Sequence, residues 1–123
     1  MTANILVVED NPDNSKLVSW ILEDEGYESV CVATGEDCLT IIEQQSFDLI
    51  LMDISLPGLN GKEVTRKIRQ HPSLHAIPIL ALTAHAMEAE QQSIRESGVN
   101  GLLTKPINDD LLVAALQQHL NNH

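Results

Sequence analysis

The sequence predicts an α/β domain in which five strands and five helices alternate along the chain. Short apolar runs recur, and capped or amphipathic stretches of helical length separate them. Parallel strands joined by right-handed helical crossovers form a doubly wound (βα)5 sheet with helices on both faces, although the alternation alone leaves the strand order open. The length of 123 residues suits one domain, and aromatic residues are only 2% of the chain, so we expect an aliphatic core.

The first strand and helix are the best marked. Residues 4–8 form a continuous apolar run, as a buried parallel strand does. Asn11 and Pro12 are typical of a helix start, as N-cap and first helical residue, and Gly26 is typical of its end. The expected apolar stripe of this helix consists of Leu17, Val18, Ile21 and Leu22. Trp20 falls off the stripe, so we expect it on the outer side, as a candidate for docking a partner.

The middle of the chain contains a weak strand and a strong one. The weak strand is expected over residues 28–32, followed by a helix over residues 35–45. Residues 47–52 are apolar on both faces, as in a central parallel strand. The loop that follows this strand is rich in turn-forming residues, which are Pro57, Gly58 and Gly61.

The rest of the chain continues the alternation. A short helix over residues 62–70 precedes a strand over residues 77–82. A weakly amphipathic helix over residues 84–97 precedes a short strand over residues 100–103. Asn108 is the expected cap of the final helix. The apolar stripe of that helix is expected to contain Leu111, Leu112, Ala115, Leu116 and Leu120.

Composition excludes several classes of protein. The chain has 7 basic and 18 acidic residues, a net charge of −11, so its overall field does not favour nucleic acid. No signal-peptide pattern and no apolar stretch of about 18 residues are present, and we expect no membrane span. Two cysteines, Cys31 and Cys38, are too few for a disulfide scaffold, and we expect both to be buried thiols in a cytoplasmic protein.

Polar side chains stand at the carboxyl ends of four predicted strands, which is where α/β sheets bind ligands. Glu9 and Asp10 follow the first strand, Asp53 the third, Thr83 the fourth and Lys105 the fifth. Any one of these residues would be ordinary at a strand end. Together, at the same edge of one sheet, they indicate a site.

The residue types of this predicted site suit phosphoryl chemistry. Crowded carboxylates repel one another, and a divalent cation such as Mg²⁺, which prefers hard oxygen ligands, relieves that repulsion. An aspartate in this setting can accept a phosphoryl group as an acyl phosphate. Lys105 would balance the remaining negative charge, and the Thr83 hydroxyl would hydrogen-bond an oxygen.

Two enzyme classes fit the pattern less well. A phosphatase of the haloacid-dehalogenase type carries its nucleophile after the first strand in an Asp-x-Asp pattern, whereas here the candidate Asp53 follows the third strand and Ser55 lies two residues on. A flavodoxin-type cofactor site needs a phosphate-binding loop after the first strand, where Glu9 and Asp10 would repel phosphate. A Walker-type loop and a dinucleotide glycine fingerprint are both absent.

Four segments of the chain carry a family resemblance. They are Val-Val-Glu-Asp-Asn-Pro at 7–12, Leu-Met-Asp-Ile-Ser-Leu-Pro-Gly-Leu-Asn-Gly at 51–61, Ala-Leu-Thr-Ala at 81–84 and Leu-Thr-Lys-Pro at 103–106. In this order and at these spacings, the sequence resembles the receiver (CheY-like) domain of two-component response regulators. The resemblance covers Ile5 to Leu120. It implies a flavodoxin-like sheet in the order 2-1-3-4-5, and a single receiver domain over residues 1–123 without an effector domain.

The resemblance also implies a role for each site residue. Asp53 would accept a phosphoryl group from a histidine kinase or a His-phosphotransfer protein, and the domain would act only in its own phosphorylation and dephosphorylation. Mg²⁺ would be bound by Glu9, Asp10, Asp53 and the backbone carbonyl of Ser55. Thr83 would move toward the phosphoryl oxygens and Lys105 would pair with them, with a cis peptide bond before Pro106.

The resemblance places the output on the face formed by the fourth helix, fifth strand and fifth helix, through protein contact or onward phosphorelay. The chain is similar both to single-domain regulators and to receivers of hybrid histidine kinases. One departure is Leu102, which stands where many members carry the aromatic partner of the switch threonine. His85, two residues past Thr83, occupies a position that tunes dephosphorylation in the family. The alternative function is a phosphate-independent interaction module with the receiver shape.

Overall fold

The computed structural model describes residues 2–84 and 87–120. Within these ranges five strands and five helices alternate along the chain. They are β1 (Asn4–Val8), α1 (Pro12–Asp24), β2 (Glu28–Val32), α2 (Gly35–Ile41), β3 (Leu49–Asp53), α3 (Gly61–Arg69), β4 (Ile79–Thr83), α4 (Glu88–Glu96), β5 (Gly101–Thr104) and α5 (Asp109–Leu120). The strands form one parallel sheet in the order β2-β1-β3-β4-β5, which confirms the predicted class and strand order.

Alternate side chains of the central strands divide the core into two layers. Ile5 and Val7 of β1 face α1 and α5, where they meet Val18, Leu22, Leu112 and Leu116. Leu6 and Val8 face the opposite layer, where they meet Cys38, Val64 and Ile68 of α2 and α3. Every residue of β3 and β4 is buried, which explains why these strands are apolar on both faces. The largest fully buried side chains are all Ile, Leu or Met, so the core is aliphatic, as expected.

Three residues expected to be buried are exposed. Leu17 is 41% exposed and Leu111 is 61% exposed, because each lies at the outer margin of its helix stripe. Cys31 is exposed, whereas Cys38 is buried as expected. Cys31 lies in the edge strand β2, and α1 covers it only in part, through the Ser19 hydroxyl 3.1 Å from its sulfur.

Several predicted boundaries were wrong by a few residues. The predicted helix over 84–97 begins only at Glu88, where Met87 occupies the N-cap without a side-chain hydrogen bond. Residues 85 and 86 of that prediction lie outside the described residues. The predicted helix over 35–45 ends at Ile41, because the next amide groups bond in turns rather than continuing the helix.

Strands β3, β4 and β5 begin and end one to two residues later than predicted. The shift makes Asp53 and Thr83 the last residues of their strands. No helix among the described residues has both the length and the apolar character needed to cross a bilayer.

Candidate functional site

The carboxyl ends of β1 and β3 bring three acidic side chains together. Glu9 directly follows β1, and Asp53 is the last residue of β3, the strand hydrogen-bonded to β1. Each of Glu9, Asp10 and Asp53 offers a carboxylate oxygen, and these oxygens all lie within 4.8 Å of one another. Glu9 is 3% exposed and Asp53 is 2% exposed, whereas Asp10 lies at the surface. The predicted acidic cluster is therefore formed, with one member open to solvent.

Lys105 lies between the two buried acids. Its Nζ is 3.2 Å from both carboxylate oxygens of Glu9 and 3.1 Å from Oδ2 of Asp53. The position of the lysine is fixed from the backbone, since the Lys105 N–H donates to the Thr83 carbonyl at 2.7 Å and a cis peptide bond joins Lys105 to Pro106. The other oxygen of Asp53, Oδ1, accepts the Ser55 N–H at 3.0 Å. Asp53 is thus held on both of its oxygens.

Burial and the shared lysine separate the proton affinities of the two acids. Burial, together with a hydrogen bond to Asp53, raises the pKa of Glu9 from 4.5 to about 7. Burial alone would also raise the pKa of Asp53, but hydrogen bonds from Glu9, the Ser55 N–H and Lys105 outweigh it and lower that pKa. Burial opposes the charge of Lys105, yet its bond to Asp53 raises the lysine pKa. Asp53 is therefore the carboxylate that stays ionised.

The two remaining predicted site residues that the structure describes are Thr83 and Ser55, and they differ in burial. Thr83 is fully buried at the end of β4, one residue past Leu82, which pairs with Asp53 in the sheet. Ser55 is exposed and contacts Asp53 through its backbone N–H. Gly61 packs so closely beneath the site that a Cβ there would overlap the Asp53 carbonyl oxygen. His85 lies outside the described residues.

One site residue escaped the sequence reasoning. Asn14, in the first turn of α1, donates from Nδ2 to Oε1 of Glu9 at 2.8 Å. The sequence did contain a sign of this role. Asn14, Val18 and Leu22 are spaced four residues apart, so Asn14 is a polar residue on the buried face of the helix.

The sequence also singled out Leu102 and Trp20, which the structure places in β5 and α1. Leu102 is half-buried and packs beside Ala81 and Ile94. Trp20 is 70% exposed, as expected. It lines an open groove of about 720 Å³ together with Leu17, Ile21, Glu23 and Asp24.

The donor set fits a hard divalent cation. The cluster contributes carboxylate oxygens, with no thiolate or imidazole among the three grouped residues. Burial first, and the neighbouring Asp53 second, raise the pKa of Glu9, and the attraction of Lys105 opposes this rise only in part. A cation would add positive charge beside these carboxylates.

Comparison with known proteins gives consistent results. The family model described as the response regulator receiver domain matches residues 5–117. The polar-differentiation response regulator DivK of Brucella ovis is 35% identical over 122 residues, which cover 99% of both chains. The sensor protein GacS of Pseudomonas syringae is 44% identical over 108 residues, which cover 85% of this chain but only 12% of that protein.

Solved structures are similar over nearly the whole chain. The receiver domain of a sensor histidine kinase from Pseudomonas aeruginosa matches with a TM-score of 0.92 and 36% identity, covering 99% of this chain and 100% of that one, and it holds a magnesium ion in its active site cleft. The chemotaxis response regulator CheY4 of Vibrio cholerae matches with a TM-score of 0.92 and 32% identity, covering 98% of this chain and 100% of that one.

Proposed function

Because this chain belongs to the response regulator receiver domain family, we propose that it is a phosphoacceptor switch whose acceptor is Asp53. The phosphoryl donor is a phosphohistidine of a histidine kinase or a His-phosphotransfer protein. The observation that carries the proposal is the lysine bridge, in which Lys105 Nζ lies 3.2 Å from Glu9 and 3.1 Å from Asp53. That arrangement keeps the buried Asp53 carboxylate ionised and places the Lys105 ammonium group beside it, where it can pair with the negative charge of an incoming phosphoryl group.

The transfer step follows from the state of Asp53. A carboxylate oxygen of Asp53 attacks the phosphorus, a new P–O bond forms, and the P–N bond of the donor breaks with its electron pair going to the imidazole nitrogen. The product on this chain is an acyl phosphate. Lys105, already within 3.1 Å of Asp53, is placed to pair with the phosphoryl oxygens, and the Thr83 hydroxyl is the second partner for them.

The acidic cluster is the proposed magnesium site. Glu9, Asp10 and Asp53, with the backbone carbonyl of Ser55, would hold Mg²⁺, which supplies charge neutralisation for the phosphoryl oxygens when it is bound. Glu9 and Asp53 are buried, whereas Asp10 is exposed, so the cluster is open to solvent at Asp10. The domain takes part only in its own phosphorylation and dephosphorylation and does not turn over a separate substrate.

The proposed output runs through α4, β5 and α5. Within the described residues, Ile94 is the one buried side chain of α4, whose N-cap makes no side-chain hydrogen bond. A helix with so few stabilising contacts can change position when phosphorylation adds about two negative charges at Asp53. Leu102 stands in β5 beside Ile94, so the coupling from Thr83 to α4 works through aliphatic packing rather than through an aromatic ring.

Partner recognition is proposed for the exposed part of α1. The groove at Trp20 lies on the helix that begins directly after Glu9 and Asp10, and Trp20 and Leu17 offer apolar surface there. The kinase or phosphotransfer domain would dock on it, and a downstream protein or a further histidine would receive the signal. We propose the cytoplasm as the compartment, which suits two free thiols.

Intact-mass spectrometry after incubation with acetyl phosphate tests this proposal. The expected result is one phosphoryl adduct on wild-type protein that requires Mg²⁺ and is lost in Asp53→Asn. If no adduct forms, a beryllofluoride complex would still reveal an acceptor whose phosphate hydrolyses rapidly. Absence of both would favour the alternative, a phosphate-independent interaction module.

A further inference from the structure

A side chain of α1 holds one of the buried acids of the site. Asn14 Nδ2 donates to Glu9 Oε1 at 2.8 Å, which is shorter than either contact from Lys105 Nζ to Glu9. The same oxygen also receives Lys105 Nζ at 3.2 Å, so Glu9 is held both by α1 and by the residue that directly follows β5. Asn14 itself is half-buried, and its contact joins two parts of the chain that meet beside Asp53.

Helix capping does not account for Asn14. The cap of α1 is Asn11, whose side-chain oxygen accepts the backbone N–H groups of Asp13 and Asn14. The side chain of Asn14 is therefore not needed to begin the helix. It lies on the buried face one turn before Val18, a place where an apolar residue would ordinarily pack. A polar residue there is explained by its hydrogen bond to Glu9.

The two partners of Glu9 differ in charge. Lys105 offsets negative charge and so competes with any cation that approaches the acids. Asn14 fixes the carboxylate through a neutral amide and leaves the full negative charge of the cluster available. An amide donor in this position can orient Glu9 without reducing the attraction of the site for a cation.

We propose that Asn14 is a positioning residue that keeps the Glu9 carboxylate oriented for a divalent cation, an assignment that rests on the proposed function of the acidic cluster. Loss of an outer-shell hydrogen bond to a metal ligand typically weakens metal binding by about 10- to 100-fold. Within the described part of the chain, the Asn14 side chain bonds to Glu9, whereas Asp53 is contacted by Ser55 and Lys105. Removal of the Asn14 amide should therefore weaken Mg²⁺ binding while leaving the rate at saturating Mg²⁺ nearly unchanged.

The test compares Asn14→Leu, which keeps the shape of the side chain but removes the donor, with wild type. Isothermal titration calorimetry with Mg²⁺ on the unphosphorylated protein measures binding directly, and the acetyl phosphate reaction gives both a half-saturating Mg²⁺ concentration and a saturated rate. We expect Kd and half-saturation to rise together by about ten-fold or more. The matched control is Ser15→Ala, because the Ser15 hydroxyl bonds to the Pro12 carbonyl in the same turn and not to the acidic cluster in the described structure.

The results separate the positioning role of Asn14 from the proposed function of the acidic cluster. Wild-type affinity in Asn14→Leu would overturn the positioning role, as would a loss of saturated rate without a change in Mg²⁺ affinity. Wild-type protein that neither binds Mg²⁺ nor becomes phosphorylated would overturn the proposed function itself, and the role of Asn14 with it. If Asn14→Leu fails to fold by circular dichroism, Asn14→Ala removes the donor without the bulk and takes its place.

Discussion

Glu9 is a residue whose charge works against folding, and this has a measurable consequence. Its carboxyl is 3% exposed and lies beside Asp53, and together burial and that neighbour raise its pKa from 4.5 to about 7. Above pH 7 the folded protein must hold an ionised carboxylate that the unfolded chain would hydrate freely. We therefore expect Glu9→Gln, a neutral residue of the same shape, to stabilise the metal-free protein at high pH.

The size of the effect follows from proton linkage. A raised folded-state pKa means that the native state binds more protons than the unfolded state between pH 4.5 and about 7, so stability falls as pH rises through that window. Each unit of pKa shift corresponds to about 1.36 kcal/mol. The wild type should therefore lose about 3 kcal/mol relative to Glu9→Gln at about pH 8, and less than about 1 kcal/mol at about pH 5.

Urea unfolding in the presence of EDTA measures this difference. Far-ultraviolet circular dichroism is the suitable probe, because Trp20 is 70% exposed and its fluorescence would report unfolding poorly. Glu23→Gln, at an exposed position of α1, is the control and should show no such gain. Added Mg²⁺ should stabilise the wild type and not the variant. Equal stability of wild type and Glu9→Gln at about pH 8, or a gain that persists unchanged at about pH 5, would refute the reasoning.

Three further outcomes are expected. Native protein should react with iodoacetamide at the exposed Cys31 and not at Cys38, where burial raises the thiol pKa to about 12; equal labelling by mass spectrometry would contradict the packing of α2. Arg69→Ala should cost about 3 kcal/mol in urea unfolding, since the half-buried guanidinium donates to the carbonyls of Gly98, His75 and Ile77 and to Asn100 Oδ1; a loss below about 1 kcal/mol would mean that water replaces these partners. Gly61→Ala should destabilise by about 1–3 kcal/mol and slow phosphorylation, because a Cβ would collide with the acceptor backbone; unaltered unfolding and phosphorylation rates would argue against that close approach.

Much of the fold follows from local patterns. The apolar runs located all five strands, and the Asn11–Pro12 pair fixed the start of α1, because cap and proline act within one turn. The end of α4 was predicted to within one residue, but its start was predicted too early, since Met87 provides no capping side chain that would mark it. The exposure of individual side chains was harder to predict than the type of secondary structure that contains them. Cys31 is small and apolar, yet its strand lies at the sheet edge, and an edge is a property of the assembled sheet.

The sequence predicted which residues lie at the strand ends that form the site, but not the hydrogen bonds and ion pairs among them. Glu9, Asp53 and Lys105 meet because parallel strands end at the same edge, which sequence order already indicates. The sharing of one lysine by two buried acids depends on distances between β1, β3 and β5. The spacing of Asn14 from Val18 and Leu22 places it on the buried face of α1, but its hydrogen bond to Glu9 depends on the position of that turn relative to the end of β1, which the spacing does not give.

The central claim is that the phosphoryl group is carried on Asp53 as an acyl phosphate. Borohydride reduction of the phosphorylated protein converts such an aspartate to homoserine, and trypsin releases the segment between Lys16 and Lys62 that contains Asp53. Tandem mass spectrometry should place homoserine at position 53 alone, and only after treatment with both acetyl phosphate and Mg²⁺. Homoserine or phosphate at any other residue, with position 53 still aspartate, would contradict the account.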